Sequence, residues 1–292
     1  MSDIPQRAVD GQEPLSPPDP VMAQRYLDHV GEVTDRRNGA VDRRAQAWLQ
    51  IANAVATAIY LLVFSFVMRS DATVEAQALV FVFLIWAQIV VGITQRHGMQ
   101  RKLGRAQWPL IVGGIVLLVA TVVFLLLNGF VPGFPVIGMF VPSAIALLAL
   151  GGYGLWLLRR ASADPLPSRL PRVRLDRGAQ VGTILVGTGL GVIVALMGAP
   201  AGVLRSALLL IVILGVVVWM FATNSAFGLP AIGEAWRWPH LVAFALGAAI
   251  LVGVVLPGSP LTSPSVVPPL LGLGILAAFV GASLVPGYVH RG

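Results

Sequence analysis

The chain has 292 residues, of which 57% are hydrophobic and only 11% charged, with a mean hydropathy of +0.83. Soluble domains carry roughly 25% charged residues because water must solvate their surface, so lipid is the expected solvent for most of this chain. The formal net charge of +7 does not point to nucleic acid: residues 1–44 hold eight acids and six bases, and no basic face is interleaved with exposed aromatics. Cysteine is absent, which excludes disulfide and thiolate chemistry.

Residues 1–20 contain five prolines, scattered acids and few apolar side chains, a composition that cannot bury enough surface to offset ordering. They read as a disordered, Pro-rich cytoplasmic tail. No apolar run follows a basic start, so no cleaved signal peptide is expected. Over 21–44, Met22, Tyr26, Val30 and Val33 recur at helical spacing among Arg25, Asp28, Glu32 and Asp35, which predicts an amphipathic juxtamembrane helix.

Eight apolar runs follow, at about 45–68, 74–94, 109–127, 136–158, 181–199, 203–221, 239–256 and 268–286. Each approaches the ~20 residues that a helix needs to cross ~30 Å of hydrocarbon. The runs lack the two-residue alternation of a lipid-facing barrel. The expected fold is therefore all-α, a polytopic membrane protein with eight transmembrane helices. A basic, Pro-rich linker, 159–180, separates the first four runs (45–158) from the second four (181–286), and 287–292 form a C-terminal tail. Arg and Lys collect before the first run, between the second and third, and in the linker, whereas the other side has only Arg69 and Arg205. The positive-inside rule then places both termini in the cytoplasm. Trp48, Trp108, Trp156, Trp219, Trp236 and Trp238 fall near the same face and read as an interfacial belt. Lys102 is the only lysine; that arginine skew, with abundant Ala, Gly and Val, fits a GC-rich bacterial genome and a bacterial plasma membrane.

The two halves resemble each other. Val41-Asp42-Arg43-Arg44-Ala45-Gln46 precedes the first run, and Leu175-Asp176-Arg177-Gly178-Ala179-Gln180 the fifth. Trp108-Pro109 opens the third and Trp238-Pro239 the seventh. Pro132-Gly133-Phe134-Pro135 follows the third, Pro257-Gly258-Ser259-Pro260 the seventh, and Val141-Pro142 and Val267-Pro268 lead the fourth and eighth. The offsets are 134, 130, 125 and 126 residues (41 to 175, 108 to 238, 132 to 257, 141 to 267). With four crossings per unit, the tandem repeats insert in parallel orientation, related by a pseudo-twofold axis along the membrane normal.

No ionisable residue stands near the middle of any run; Glu75, Arg205 and His240 sit at ends, where snorkelling reaches the interface. Proton coupling through a buried carboxylate is thus not expected. Metalloprotease, P-loop and nucleophile-elbow signatures are missing. His29, His97, His240 and His290 lack metal-ligand spacing, so neither a catalytic site, a metal nor a cofactor is expected. Asn53 and Gln88 are the only amides well inside a run. Their default role is interhelical bonding; their alternative role, with Gly187 and Gly191, is to line a path for a neutral substrate. Gly187 and Gly191 belong to a small-residue stripe whose default meaning is close helix packing. Pro132, Gly133 and Pro135, with Pro257, Gly258 and Pro260, are candidates for an external mouth, plain turns being the alternative. Arg172, Arg174 and Arg177 are candidates for anionic lipid head groups.

Two functions compete on these residues. One is a transport-related membrane domain for a neutral, apolar or lipid-like solute, without intramembrane ion coupling. The other is an accessory or signalling scaffold that recruits a cytoplasmic partner through the N-terminal tail. An enzyme is the weakest reading, for want of paired carboxylates, a nucleophile or clustered ligands. Membrane lipids are the expected partners, and a cytoplasmic protein or ATPase and a homo-oligomer are the candidate assemblies.

Overall fold

A computed structural model describes residues 43–70, 73–96, 108–131, 133–161, 172–200, 202–222, 227–256 and 266–288, with the isolated residues 22, 24, 25, 225, 259 and 261. The chain divides into Met1–Val41 and Asp42–Gly292. In the first unit Met22, Gln24 and Arg25 are helical; of the rest of the expected juxtamembrane helix, Arg43 and Arg44 belong to the first long helix and the remainder lies outside the described residues.

In the second unit every one of the eight apolar runs is helical. Helix α1 spans Arg43–Arg69, α2 Thr73–Arg96 and α3 Trp108–Phe130. The fourth run, Val136–Ala161, is composite. It begins as a 3-10 turn, Val136–Met139, continues as α4 (Phe140–Ala146), loosens into a π-helical turn at Leu147–Gly151 and ends as α5 (Gly152–Ala161). After the linker come β1 (Arg172–Val173), α6 (Arg177–Met197), α7 (Val203–Phe221), a short α8 (Leu229–Ala235), α9 (Trp238–Val255), α10 (Val267–Ser283) and β2 (Gly287–Tyr288). Six of the helical segments are long and apolar enough to cross a membrane; Val112–Leu127 of α3 and Val267–Ser283 are shorter apolar stretches.

Helix starts follow local chemistry. Asp176 caps α6, its carboxylate accepting from the Gly178 backbone N–H at 3.3 Å, which satisfies one orphan donor of the first turn. Proline occupies the first turn of α8, α9 and α10, where its missing N–H costs no helical bond. Val141-Pro142 departs from this pattern: Pro142 lies inside α4, because the 3-10 turn has already started the helical segment.

Packing pairs the first and fourth runs of each half. Along α1, the Arg44 guanidinium donates to the Ala161 carbonyl at 3.0 Å and the Ser143 hydroxyl to the Ala58 carbonyl at 2.6 Å. Arg69 closes the far end on the Phe134 carbonyl at 3.2 Å. In the second half α6 lies along α10 at backbone contact. A Cβ added to Gly191 would stand 2.6 Å from the Gly272 carbonyl oxygen, and one added to Gly272 would stand 2.4 Å from that of Gly191. Glycine alone permits that approach.

The halves join through α2 and α8. Gly92 faces the Pro230 carbonyl, and Gly233 faces the backbone of Ile89. Around this crossing runs one continuous apolar core that includes Val82, Ile85 and Ile89 of α2, Leu190 of α6, Leu229 and Ile232 of α8, and Phe279 of α10.

Candidate functional site

Two features at the meeting of α2 with the second half stand out: a polar junction at the arginine-rich end, and an apolar groove deeper along the helices. The junction is organised by α8. This seven-residue helix is too short to cross a membrane, and six of its residues are buried. A short helix has many orphan backbone groups, and among apolar helices these need protein partners. Arg96, at the end of α2, supplies them by donating to the carbonyls of Glu234 (3.3 Å) and Trp236. Glu234 is itself 6% exposed and interacts electrostatically with Arg96.

The chain end completes the junction. β2 pairs antiparallel with β1, Arg172 opposite Tyr288 and Val173 opposite Gly287. Arg96 lies over the Tyr288 ring at 4.3 Å and Arg237 at 5.5 Å, distances at which a guanidinium is attracted to the ring face. Arg237 also donates to the Pro286 carbonyl at 3.2 Å. The linker, the C-terminal strand and α2 are thus tied together at one place.

Behind this polar layer lies an aromatic one. Trp236, expected in an interfacial belt, is fully buried, and its indole N–H donates to the Thr183 hydroxyl at 2.9 Å. Thr183 in turn donates to the Ala179 carbonyl at 2.7 Å. Trp236 stacks on His240 at 6.0 Å and packs against Phe244 and Phe279. His240 does not snorkel as expected; it is fully buried, and its Nδ1 accepts from the Arg237 backbone N–H at 3.1 Å. The other expected belt residues divide. Trp48, Trp156 and Trp238 are exposed, Trp156 beneath the Arg160 guanidinium at 4.1 Å. Trp219 is half-buried, its N–H on the Phe227 carbonyl at 2.8 Å, and the side chain of Trp108 lies outside the described residues.

Asn53 meets a partner that sequence spacing did not single out. Its carbonyl oxygen accepts from the Trp86 indole N–H at 3.1 Å, joining α1 to α2, and Trp86 stacks on Phe244 at 5.9 Å. Gln88, half-buried, stands two residues beyond Trp86 and so roughly 200° round the helix; the Asn53 bond goes to Trp86 instead. Gly187 and Gly191 face α10, where Phe279 and the Gly272 carbonyl fill the space. The cavity beside this stripe opens one helix face away, at Gly189.

That cavity is an apolar groove of about 320 Å³ between α2, α6 and α7. Ile85 forms one wall, Leu185, Thr188 and Gly189 a second, and Gly215 and Trp219 a third. A Cβ at Gly189 or Gly215 would meet nothing within 4 Å, so both glycines leave open space. The Thr188 hydroxyl is turned to its own helix, donating to the Ile184 carbonyl at 2.9 Å.

At the opposite end, Gly133 has φ of +81°, the left-handed region that glycine enters without steric cost, and Pro135 is exposed ahead of the 3-10 turn. Pro132, Pro257, Gly258 and Pro260 lie outside the described residues, as do His29, His97 and His290. Arg174 and Arg177 are exposed at the start of α6, and Arg172 lies in β1. Among the described residues no group of three His, Cys, Asp or Glu could hold a metal ion.

Six helices long and apolar enough to cross a bilayer give this chain the character of a multi-pass helical membrane protein. No protein-family model, curated protein or solved structure matches the chain, so its function is argued from these residues alone.

Sequence reasoning missed Glu234 and its junction with Arg96, placed Trp236 at the interface and not in the core, and overlooked Trp86 as the partner of Asn53. Only the Pro230 start and the paired Gly228 and Gly233 around a short apolar stretch signalled α8.

Proposed function

We propose that the protein is a transport-related membrane domain handling a neutral, apolar or lipid-like solute that it meets from within the bilayer. The observation that carries this reading is the groove between α2, α6 and α7, which is apolar and reaches the surface at the exposed Leu185 and Gly215. A solute taken there needs no aqueous channel and no ion-coupling side chain. In this reading the chain crosses a bacterial plasma membrane eight times as two tandem four-helix units, both termini cytoplasmic. Supporting the repeat, the first run packs on the fourth in each half.

The scaffold reading has one observation in its favour: the packed crossing of α2 on α8, where backbones touch at Gly92 and Gly233. A leaflet-exchange assay separates the two. Proteoliposomes carrying tail-labelled fluorescent lipid are treated with a membrane-impermeant reductant. Transport predicts faster loss of inner-leaflet fluorescence than in protein-free vesicles, and weaker loss for Gly215→Leu. No acceleration, with a soluble protein captured through residues 1–44, supports the scaffold instead.

A further inference from the structure

A charged residue shares a helix face with the groove. On α6, residues 177, 181, 185, 188 and 192 follow each other at helical spacing and share one face. Arg177 heads this stripe and is exposed; Val181, Leu185 and Val192 continue it with exposed apolar side chains, at 53%, 45% and 37%. With a rise of 1.5 Å per residue, Arg177 stands about 12 Å above Leu185, and the groove runs about 10 Å further to Val192. Trp219 of α7 flanks it. Arg174 is exposed just before the helix, and the nearby Asp176 carboxylate is engaged in the helix cap.

We infer that this face binds an anionic diacyl phospholipid, its phosphate at Arg177 and one acyl chain in the groove floored by Gly189 and Gly215. A volume of about 320 Å³ sits at the lower end of the ~300–1,000 Å³ of ligand clefts, which suits one hydrocarbon chain and not a whole lipid. The arginine lies where the phosphate of a lipid so seated would be, and guanidinium groups recognise phosphate well. The two missing side chains make room where a helix pair of ordinary residues would close. This inference rests on the lipid-like reading above and narrows its solute to a headgroup charge and a chain.

Trp219 provides the test. The full chain is placed in nanodiscs containing phosphatidylglycerol or phosphatidylcholine brominated on the acyl chain. The Trp219 contribution to quenching is the difference between the native chain and Trp219→Phe. Quenching by the anionic lipid is expected at about five-fold lower mole fraction than by the zwitterionic one, the factor that one arginine near a membrane surface supplies. Arg177→Gln should bring the two lipids level, and Gly189→Leu or Gly215→Leu, each placed in open space, should abolish the Trp219 response to both. Equal quenching by the two lipids in the native chain, or a preference that survives Gly189→Leu, overturns the site. Leaflet exchange is a separate readout: a preference without exchange removes the transport reading and leaves the site standing.

Discussion

Helices α3 and α6 are of similar length, 23 and 21 residues, and both are apolar and rich in glycine. They use those residues in opposite ways. On α6, Gly182, Gly187 and Gly191 are each pressed against a neighbour, respectively Ile232, Phe279 and the Gly272 backbone, and about half the helix is buried. On α3, Gly113 and Gly114 meet nothing within 4 Å, and Val112, Ile115, Val116, Leu118, Val119 and Val122 are all exposed. Apolar surface on this scale, outside a bilayer, marks an interface or an aggregation hazard; in hydrocarbon it is the ordinary condition of a spanning helix. The contrast teaches that in lipid, apolar character does not select which helices form the core. Small residues placed at close approaches do.

Substitutions should separate the two helices in descending size. Gly191→Leu forces a side chain into the Gly272 backbone, and we expect loss of folded protein, seen as a collapsed monodisperse peak in detergent chromatography; overpacking alone costs about 1–3 kcal/mol, and here no flexible atom can yield. Leu118→Arg on the exposed face of α3 should reduce membrane insertion by about 2.5–3.5 kcal/mol in a glycosylation-based insertion assay, whereas a water-facing position would accept it freely. Trp236→Phe, which removes the donor to Thr183, should lower the unfolding midpoint by an amount equivalent to about 1 kcal/mol. Asn53→Ala breaks the bond to Trp86 and should cost about 0.6 kcal/mol, the average for such bonds between membrane helices. Gly114→Ala should be neutral or slightly stabilising, since helix propensity improves and nothing is displaced. A large loss there would mean that α3 is covered by something not yet seen.

Much of the helical frame was legible because run length is a direct consequence of bilayer thickness. Asp176-Arg177 marked the start of α6, and Trp238-Pro239 that of α9. What escaped depends on contacts between distant segments. Trp236 and His240 read as interfacial by position, yet both are fully buried, Trp236 bonded to Thr183 and packed against His240, Phe244 and Phe279. Glu234 went unnoticed because its partner, Arg96, lies 138 residues away in sequence. The groove had no sequence signature either: Gly189 sits beside the Gly187 and Gly191 stripe, and only the position of α10 decides which glycines are covered and which are left open.

The most direct test concerns α3, whose exposed apolar side chains require hydrocarbon around them. The chain has no cysteine, so single cysteines can be introduced at each position from 112 to 127 and challenged with a membrane-impermeant maleimide in intact proteoliposomes. Residues 115–123 should stay unlabelled while positions nearer the helix ends react. Uniform labelling along the helix would contradict the account, because it would put water where hydrocarbon is required.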